Sequence, residues 1–293
     1  MSADAPGTIK VEAAAKINLY LHVVGRRANG YHELDSLIAF TDIFDTLTLA
    51  PADELSLEIA GTFAPRLPVS EENLVLRAAR ALGEAAGLDP LARITLYKEL
   101  PVAAGLGSGS ADAAAALRGL AQLWGVDPTS VDLKEVGLGL GTDIPACLVS
   151  DTVHVGGVGE ILQPGPKLPK AGIVLVNPGV TLATPSVFQA RRGGFSPKMP
   201  MMKPPQSFTD FIQELEDRSN DLTEPALRLA PVIREVLAAL EGAKGCRLAR
   251  LSGSGATCFG LFNNPSAAAE AAATLDIDEW WVRATRFRTS GHE

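Results

Sequence analysis

Two hydrophobic periodicities divide the chain. Residues 9–13 alternate between apolar and polar, and 16–24 run apolar with polar breaks at Lys16, Asn18 and His22, so both stretches predict strands. Asn29-Gly30 then signals a turn. Strand-like alternation returns over 36–49, 55–59 and 92–97. Helical spacing of Leu74, Ala78, Leu82 and Ala85 predicts a helix over 73–86, and an Ala/Leu-rich run predicts another over 111–124. A further helix is expected over 131–140, while 156–165 is rich in glycine and proline. The run 171–176 is a buried-type strand that ends in Asn177-Pro178-Gly179. Four prolines, two glycines and three methionines make 193–206 an expected mobile loop or linker. Helices over 208–215, 225–229, 231–240 and 265–275, with strands over 247–251, 257–262 and 280–287, close the chain.

Strands clustered early among helices argue for an α+β fold rather than a doubly wound sheet. The 293 residues suggest about two domains. The expected boundary lies near residue 165, giving domains 1–165 and 166–293.

Composition narrows the function classes. With 46% hydrophobic and 20% charged residues, a mostly disordered chain is excluded. Net charge is −8, and the densest basic pairs are Arg26-Arg27 and Arg191-Arg192, so a nucleic-acid backbone binder loses its case. Cys147, Cys246 and Cys258 are odd in number and lack metal-ligand spacing; small buried hydrophobes in a reducing cytoplasm are expected. The four histidines show no HxxxH or HxH spacing, which argues against a zinc enzyme. No apolar run reaches the roughly 18 residues of a membrane helix, and the N-terminal stretch around Asp4 and Glu12 lacks a leader-like pattern. The expectation is a cytoplasmic protein, monomer or weak homodimer, with no nucleic-acid or membrane partner.

The chemistry concentrates in Pro101, Val102, Ala103, Ala104, Gly105, Leu106, Gly107, Ser108, Gly109, Ser110 and Ala111, between a predicted strand and a predicted helix. Alternating glycines let backbone N–H groups converge, and the helix start adds positive potential, so the segment suits phosphate; the plainer alternative is a glycine turn with Ser110 as helix cap. A Walker A loop is excluded because no Gly-Lys dipeptide occurs, and a dinucleotide fingerprint because position 110 is serine. Asp143, in Gly139-Leu140-Gly141-Thr142-Asp143-Ile144-Pro145, is either a helix-start cap or a carboxylate aimed at a substrate hydroxyl. Lys16 is either a solvated edge residue or the partner of that carboxylate and a phosphate. The loop around Gly253 and Ser254 is a tight turn or a closure over phosphates. Asp112 is either solvent-facing at the helix start or a magnesium ligand.

These pieces, in this order, resemble the GHMP kinase superfamily. Ala15-Lys16-Ile17-Asn18-Leu19, Gly30-Tyr31-His32, Glu72-Asn73, Gly141-Thr142-Asp143-Ile144-Pro145, Gly157-Val158-Gly159-Glu160, Asn177-Pro178-Gly179 and Ser219-Asn220-Asp221 carry the resemblance over almost the whole chain. It implies a ribosomal S5-like N-terminal domain and a ferredoxin-like C-terminal domain, with the active site in the cleft between them. The implied reaction is phosphorylation by ATP, with Mg2+, of the C2 hydroxyl of a cytidylyl-linked methylerythritol, a small-molecule substrate. Asp143 would accept the hydroxyl proton, and Lys16 would keep Asp143 ionised and steady the γ-phosphate. Tyr31 and Phe188 would stack on the cytosine and His32 would bond its edge, with Asn18, Gly253 and Ser254 also lining the substrate. Residues 101–111 would cradle ATP, with Asn73 and Lys98 near the nucleotide. Ser108 stands where the superfamily has glycine, which implies backbone strain if φ is positive there, and Ala111 replaces a frequent serine. Rival readings are another small-alcohol kinase of the superfamily (homoserine or mevalonate type), a silent nucleotide-binding relative, and an S5-like RNA-binding protein, the last disfavoured by acidity.

Overall fold

A computed structural model of the protein describes residues 7–67, 69–275 and 277–288; the start of the N-terminal stretch considered above, including Asp4, lies outside them. The described residues fall into two compact units that are interleaved in sequence. The first comprises 7–15, Ile43–Val102 and Gly107–Val149; the second comprises Lys16–Asp42, Ala103–Leu106 and 150–288.

The two units interleave because two long strands contribute to both. The predicted strands at 9–13 and 16–24 are one continuous β1 (Ile9–Arg26), and β2 (His32–Ala50) is similarly long. In the first unit, the later half of β2 pairs antiparallel with β4 (Arg93–Tyr97), Thr46 opposite Tyr97. β3 (Ser56–Ala60) adds in parallel to β4. Helix α1 (Leu74–Ala86) buries Val75, Leu76, Ala78, Ala79 and Leu82, the predicted stripe. It begins where Asn73 accepts the Val75 N–H and ends at Gly87, whose φ of 66° is left-handed. Helix α2 (Ser108–Leu123) is buried on nearly every side, with Ala113, Ala114, Ala115, Ala116 and Leu117 all inaccessible. Small residues let it lie close to the sheet: a Cβ on Gly119 would come within 2.5 Å of Leu49 and 2.8 Å of Val11. Helices α3 (Leu133–Leu140) and α4 (Ile144–Val149) pack beside α1 and α2.

In the second unit, the first half of β2 pairs with β5 (Val153–Gly157), and β5 pairs with β6 (Ile161–Pro164). A separate sheet holds β7 (Gly172–Asn177), β8 (Cys246–Leu251), β9 (Cys258–Phe262) and β10 (Trp281–Arg286) in the order β10-β7-β9-β8, antiparallel throughout. Helices α5 (Thr184–Ala190), α6 (Phe208–Glu216), α7 (Thr223–Leu229) and α8 (Val232–Gly242) lie between β7 and β8, and α9 (Pro265–Thr274) between β9 and β10. That strand order and succession are those of a ferredoxin-like unit, and the whole is α+β as expected. Its core joins Val174, Val176, Ile233, Val236 and Leu240. Cys147 and Cys258 are buried, as expected, whereas Cys246 is half-buried; burial pushes the Cys258 thiol up. Among the described residues no helix is long and apolar enough to cross a membrane.

One expectation is corrected here. The segment 193–206 is not a free linker but a fastened strap. Ser196 N–H donates to Val23 O at 3.0 Å, Met199 N–H to the Asp35 carboxylate at 2.6 Å, and Met201 is 1% exposed. Prolines remove backbone donors from the strap, so side chains of neighbouring elements add to its backbone fastening.

Candidate active site

In the second unit, three motifs far apart in sequence meet. Lys16 is 6% exposed, so it is not a solvated edge residue. Its Nζ lies 2.6 Å from Asn18 Oδ1. The Asn18 amide donates in turn to Ser36 Oγ at 2.9 Å, which fixes which end faces the lysine. Asn18 N–H donates to Ser252 Oγ at 3.3 Å, and Ser252 Oγ to Gly105 O at 2.9 Å. Two backbone bonds complete the knot, Lys16 N–H to Leu106 O and Thr257 N–H to Ala104 O, each 3.0 Å. The two glycine loops touch through missing side chains. A Cβ on Gly105 (φ +77°) would stand 2.2 Å from Ser252 O. On Gly253 (φ +54°) it would stand 3.2 Å from Asn18 Oδ1 and 3.5 Å from Lys16 Nζ. The late loop is braced from behind. Asn220 Nδ2 donates to Leu251 O and Gly253 O at 2.8 Å each, Asn177 Nδ2 donates to Thr257 Oγ1 at 2.9 Å, and Ser254 and Thr184 hydroxyls lie 2.8 Å apart. Ser252 lies within the late Gly/Ser loop that the sequence marks out, whereas Thr184, in Ala183-Thr184-Pro185, carries no local signal.

Tyr31, His32 and Phe188 all belong to the second unit. Tyr31 sits after Gly30 (φ +91°) at the turn between β1 and β2 and is 62% exposed. Phe188, on α5, stacks on His32 with centroids 5.0 Å apart and planes 21° from parallel. The ring beside Phe188 is therefore His32, and Tyr31 projects outward. Burial, helped by the charges of Arg26 and Arg191, holds the His32 pKa below its ordinary value, which favours a neutral imidazole with one donor and one acceptor nitrogen.

The first unit contains the helix that follows the phosphate-type segment in sequence. Helix α2 starts at Ser108, three residues earlier than predicted, with Gly107 as N-cap at φ +62°. Ser110 is therefore not the cap but lies in the first turn. The strain expected at Ser108 is not there: the positive φ values belong to Ala103, Gly105 and Gly107, and Ser108 Oγ donates to Pro101 O at 3.1 Å. Ser108, Gly109 and Ser110 occupy the turn where helix geometry leaves N–H groups without an intrahelical acceptor, whereas Ala111 N–H is already bonded to Gly107 O at 2.8 Å. Asp143 is half-buried just before α4, and its carbonyl accepts the Cys147 N–H at 3.1 Å. Asn73 caps α1.

Lys98 is 1% exposed, and its ammonium joins Asp45 Oδ2 at 2.6 Å and Asp112 Oδ2 at 2.5 Å. Asp45 also accepts the N–H groups of Glu99 and Leu100 at 2.6 and 2.8 Å, so it is the better-satisfied carboxylate. Asp112 Oδ1 is buried with no partner, and burial, opposed by Lys98 and reinforced by Asp45, pushes its pKa up to about 7. Asp112 thus neither faces solvent nor presents itself as a magnesium ligand. Asp45 was not legible as its partner because it sits in an ordinary strand pattern 53 residues before Lys98.

The GHMP kinases N-terminal domain model matches residues 73–151, and the GHMP kinases C-terminal model matches 206–278. The 4-diphosphocytidyl-2-C-methyl-D-erythritol kinase of Paramagnetospirillum magneticum is 52% identical over 277 residues, covering 94% of this chain and 97% of that one. The chain belongs to the 4-diphosphocytidyl-2-C-methyl-D-erythritol kinase family. Its Rhodospirillum rubrum relative of the same name is 50% identical over 279 residues, covering 94% and 92% of the two chains. A crystal structure of a 4-(cytidine 5'-diphospho)-2C-methyl-D-erythritol kinase superposes with a TM-score of 0.80 at 35% identity, covering 96% of this chain and all of that one. Homoserine kinase from Cytophaga hutchinsonii shares the fold (TM-score 0.65) at 18% identity, over 97% and 96% of the chains. Among the described residues of this family member, no group of three or more His, Cys, Asp or Glu is arranged to hold a metal.

Proposed function

We propose that this kinase transfers the γ-phosphoryl group of ATP to the C2 hydroxyl of 4-diphosphocytidyl-2-C-methyl-D-erythritol, a step of isoprenoid-precursor synthesis carried out in the cytoplasm. The observation that carries the reading is Lys16, a buried cation with a fixed partner, knotted to both glycine loops. Burying an ammonium costs desolvation, and a task on an anionic phosphate would account for that cost at this position.

In the proposed mechanism Asp143 accepts the hydroxyl proton as the oxygen attacks phosphorus. A strong base is not needed, because a loose phosphoryl-transfer transition state builds little alkoxide early. Lys16, oriented by Asn18, steadies the γ-phosphate. Residues 101–111 hold the ATP phosphates through the first turn of α2, with Asn73 and the Lys98 segment on the nucleotide side; the Lys98 ammonium itself is engaged with carboxylates, so its contribution is through position. His32, neutral and flanked by Phe188, bonds the edge of the cytosine, and Tyr31 covers its face. Gly253 and Ser254 border the same substrate. Asp112, committed to Lys98, does not fit as a Mg2+ ligand; a magnesium ion would travel with the ATP phosphates, as that ion commonly does.

Asp143→Asn keeps shape but cannot take the proton. Turnover is expected to fall about 10²-fold or more with nucleotide binding retained. Near-wild-type turnover would remove Asp143 from the mechanism. A coupled assay with the cytidylyl substrate beside mevalonate and homoserine tests the substrate class, and phosphorylation of either rival at comparable kcat/KM would overturn it.

A further inference from the structure

The turn that carries Tyr31 is held by a cluster of charges that the reaction itself does not use. Arg27 Nη2 meets Glu160 Oε1 at 2.6 Å, and Arg27 Nε meets Glu33 Oε1 at 3.3 Å. Glu33 lies on β2, two residues past Tyr31, whereas Glu160 lies in the separate turn between β5 and β6. The second Glu160 oxygen accepts the Val158 N–H at 2.5 Å, so this carboxylate is anchored to its own turn. Two glycines make room for the two acids. A Cβ on Gly25 would stand 2.9 Å from Glu33 Oε2, although its φ is not a left-handed one, so space is what that position needs. A Cβ on Gly157 would stand 2.4 Å from Glu160 Oε2. The backbone beside Arg27 closes directly on Tyr31: Arg27 N–H donates to Tyr31 O at 2.8 Å, and Gly30 N–H to Arg27 O at 2.9 Å.

Stability is a poor reason for this arrangement. The three side chains are between 27% and 41% exposed, and ion pairs so exposed contribute little to folding. Geometry is a better one. A planar guanidinium bridging a carboxylate on β2 and another in the turn between β5 and β6 fixes direction as well as distance. What it fixes is the two-strand turn from which an exposed Tyr31 and a stacked His32 project.

We propose that Arg27, gripped by Glu33 and Glu160, is a positioning residue that sets the aim of Tyr31 and His32 and so selects substrates carrying a pyrimidine base. The inference rests on the reading of Tyr31 and His32 as base-binding. Arg27 touches no substrate; it acts through the turn.

The test is a double-mutant cycle of Arg27→Ala and Glu160→Ala in the full chain, read by steady-state kinetics for both substrates, with Tyr31→Leu run alongside. Each single variant is expected to raise KM for the cytidylyl substrate five- to twentyfold. KM for ATP and kcat should stay within twofold and Tm within about 2 °C of wild type, since exposed pairs add little stability. The double variant should be no worse than the poorer single one, because either substitution already opens the grip. Unchanged cytidylyl KM, a parallel rise in both Michaelis constants, or additive effects would each overturn the proposal. Should Tyr31→Leu raise the cytidylyl KM while Arg27→Ala does not, the positioning role fails alone. Should Tyr31→Leu leave that constant unchanged, the base-binding reading falls and this inference with it.

Discussion

Replacing Gly105 by alanine adds one methyl group at the tightest point of the knot. The backbone there has φ +77°, a conformation that costs an L-residue about 1–2 kcal/mol. The new Cβ would also stand 2.2 Å from Ser252 O and 2.9 Å from Gly255 N, both backbone atoms with no rotamer to yield. The loops must therefore part, and two bonds join them: Ser252 Oγ to Gly105 O at 2.9 Å and Thr257 N–H to Ala104 O at 3.0 Å. At about 1 kcal/mol each, their loss brings the total to roughly 3–4 kcal/mol, or a Tm lower by about 10 °C for a protein of this size. Gly109→Ala is the internal control. Its Cβ would meet only Leu74 Cδ1, at an ordinary 3.8 Å, inside a helix where alanine is favoured by about 1 kcal/mol, so Tm should hold or rise. Thermal melts of the two variants, with ATP titrations on both, make the comparison. Equal melting temperatures would refute the claim that Gly105 serves close approach between loops, and would leave conformational freedom for phosphate contact as its only role.

Two further outcomes follow from buried carboxylates. Asp112 titrates at about 7 when folded against an ordinary 3.8, so the folded chain holds an extra proton between those values; the stability this proton confers is complete below about 4 and lost as pH rises through 7. Urea midpoints at pH 5 and pH 8 should therefore differ, by on the order of a few kcal/mol in unfolding free energy, and Asp112→Asn, which mimics the protonated acid, should flatten the difference; an unchanged slope in the variant would show that other groups carry it. Asp35 accepts from Tyr20 Oη at 3.2 Å and from the half-buried Met199 N–H at 2.6 Å, so Asp35→Ala takes an acceptor from both, costs roughly 1–3 kcal/mol, and should expose the 193–206 strap to proteases; wild-type cleavage rates would contradict the fastening.

The helices and strands were legible where a single period persisted. The stripe of Leu74, Ala78 and Leu82 is the buried face of α1, and the 171–176 run is the buried β7, shifted by one residue. Continuity of β1 was not legible, because Ala14, Ala15 and Lys16 interrupt the alternation although all three are buried. The strap misled for a different reason. Proline and glycine signal the lack of regular backbone pairing, which is true of 193–206. They do not signal mobility when Asp35, Asp221 and Arg218 reach across to bind its carbonyls, amides and hydroxyls.

The site divides along the same physical line. Glycine loops announce themselves because the backbone conformation they need restricts residue choice locally, and Gly105, Gly107 and Gly253 all have the left-handed φ that restriction implies. Carboxylates announce nothing, since a buried acid and a solvated one look alike until its partner is known. Asp45, Asp112 and Lys98 come from a strand, a helix and a strand end, and only the tertiary fold shows that one lysine serves two acids. The same holds for Arg27, Glu33 and Glu160. Gly157 lies three residues before Glu160 in a Gly-Val-Gly-Glu segment and vacates space for that carboxylate. A short motif can thus be read as a family signature from sequence and still hide its physical purpose, which here is to bring one acid within reach of an arginine 133 residues away.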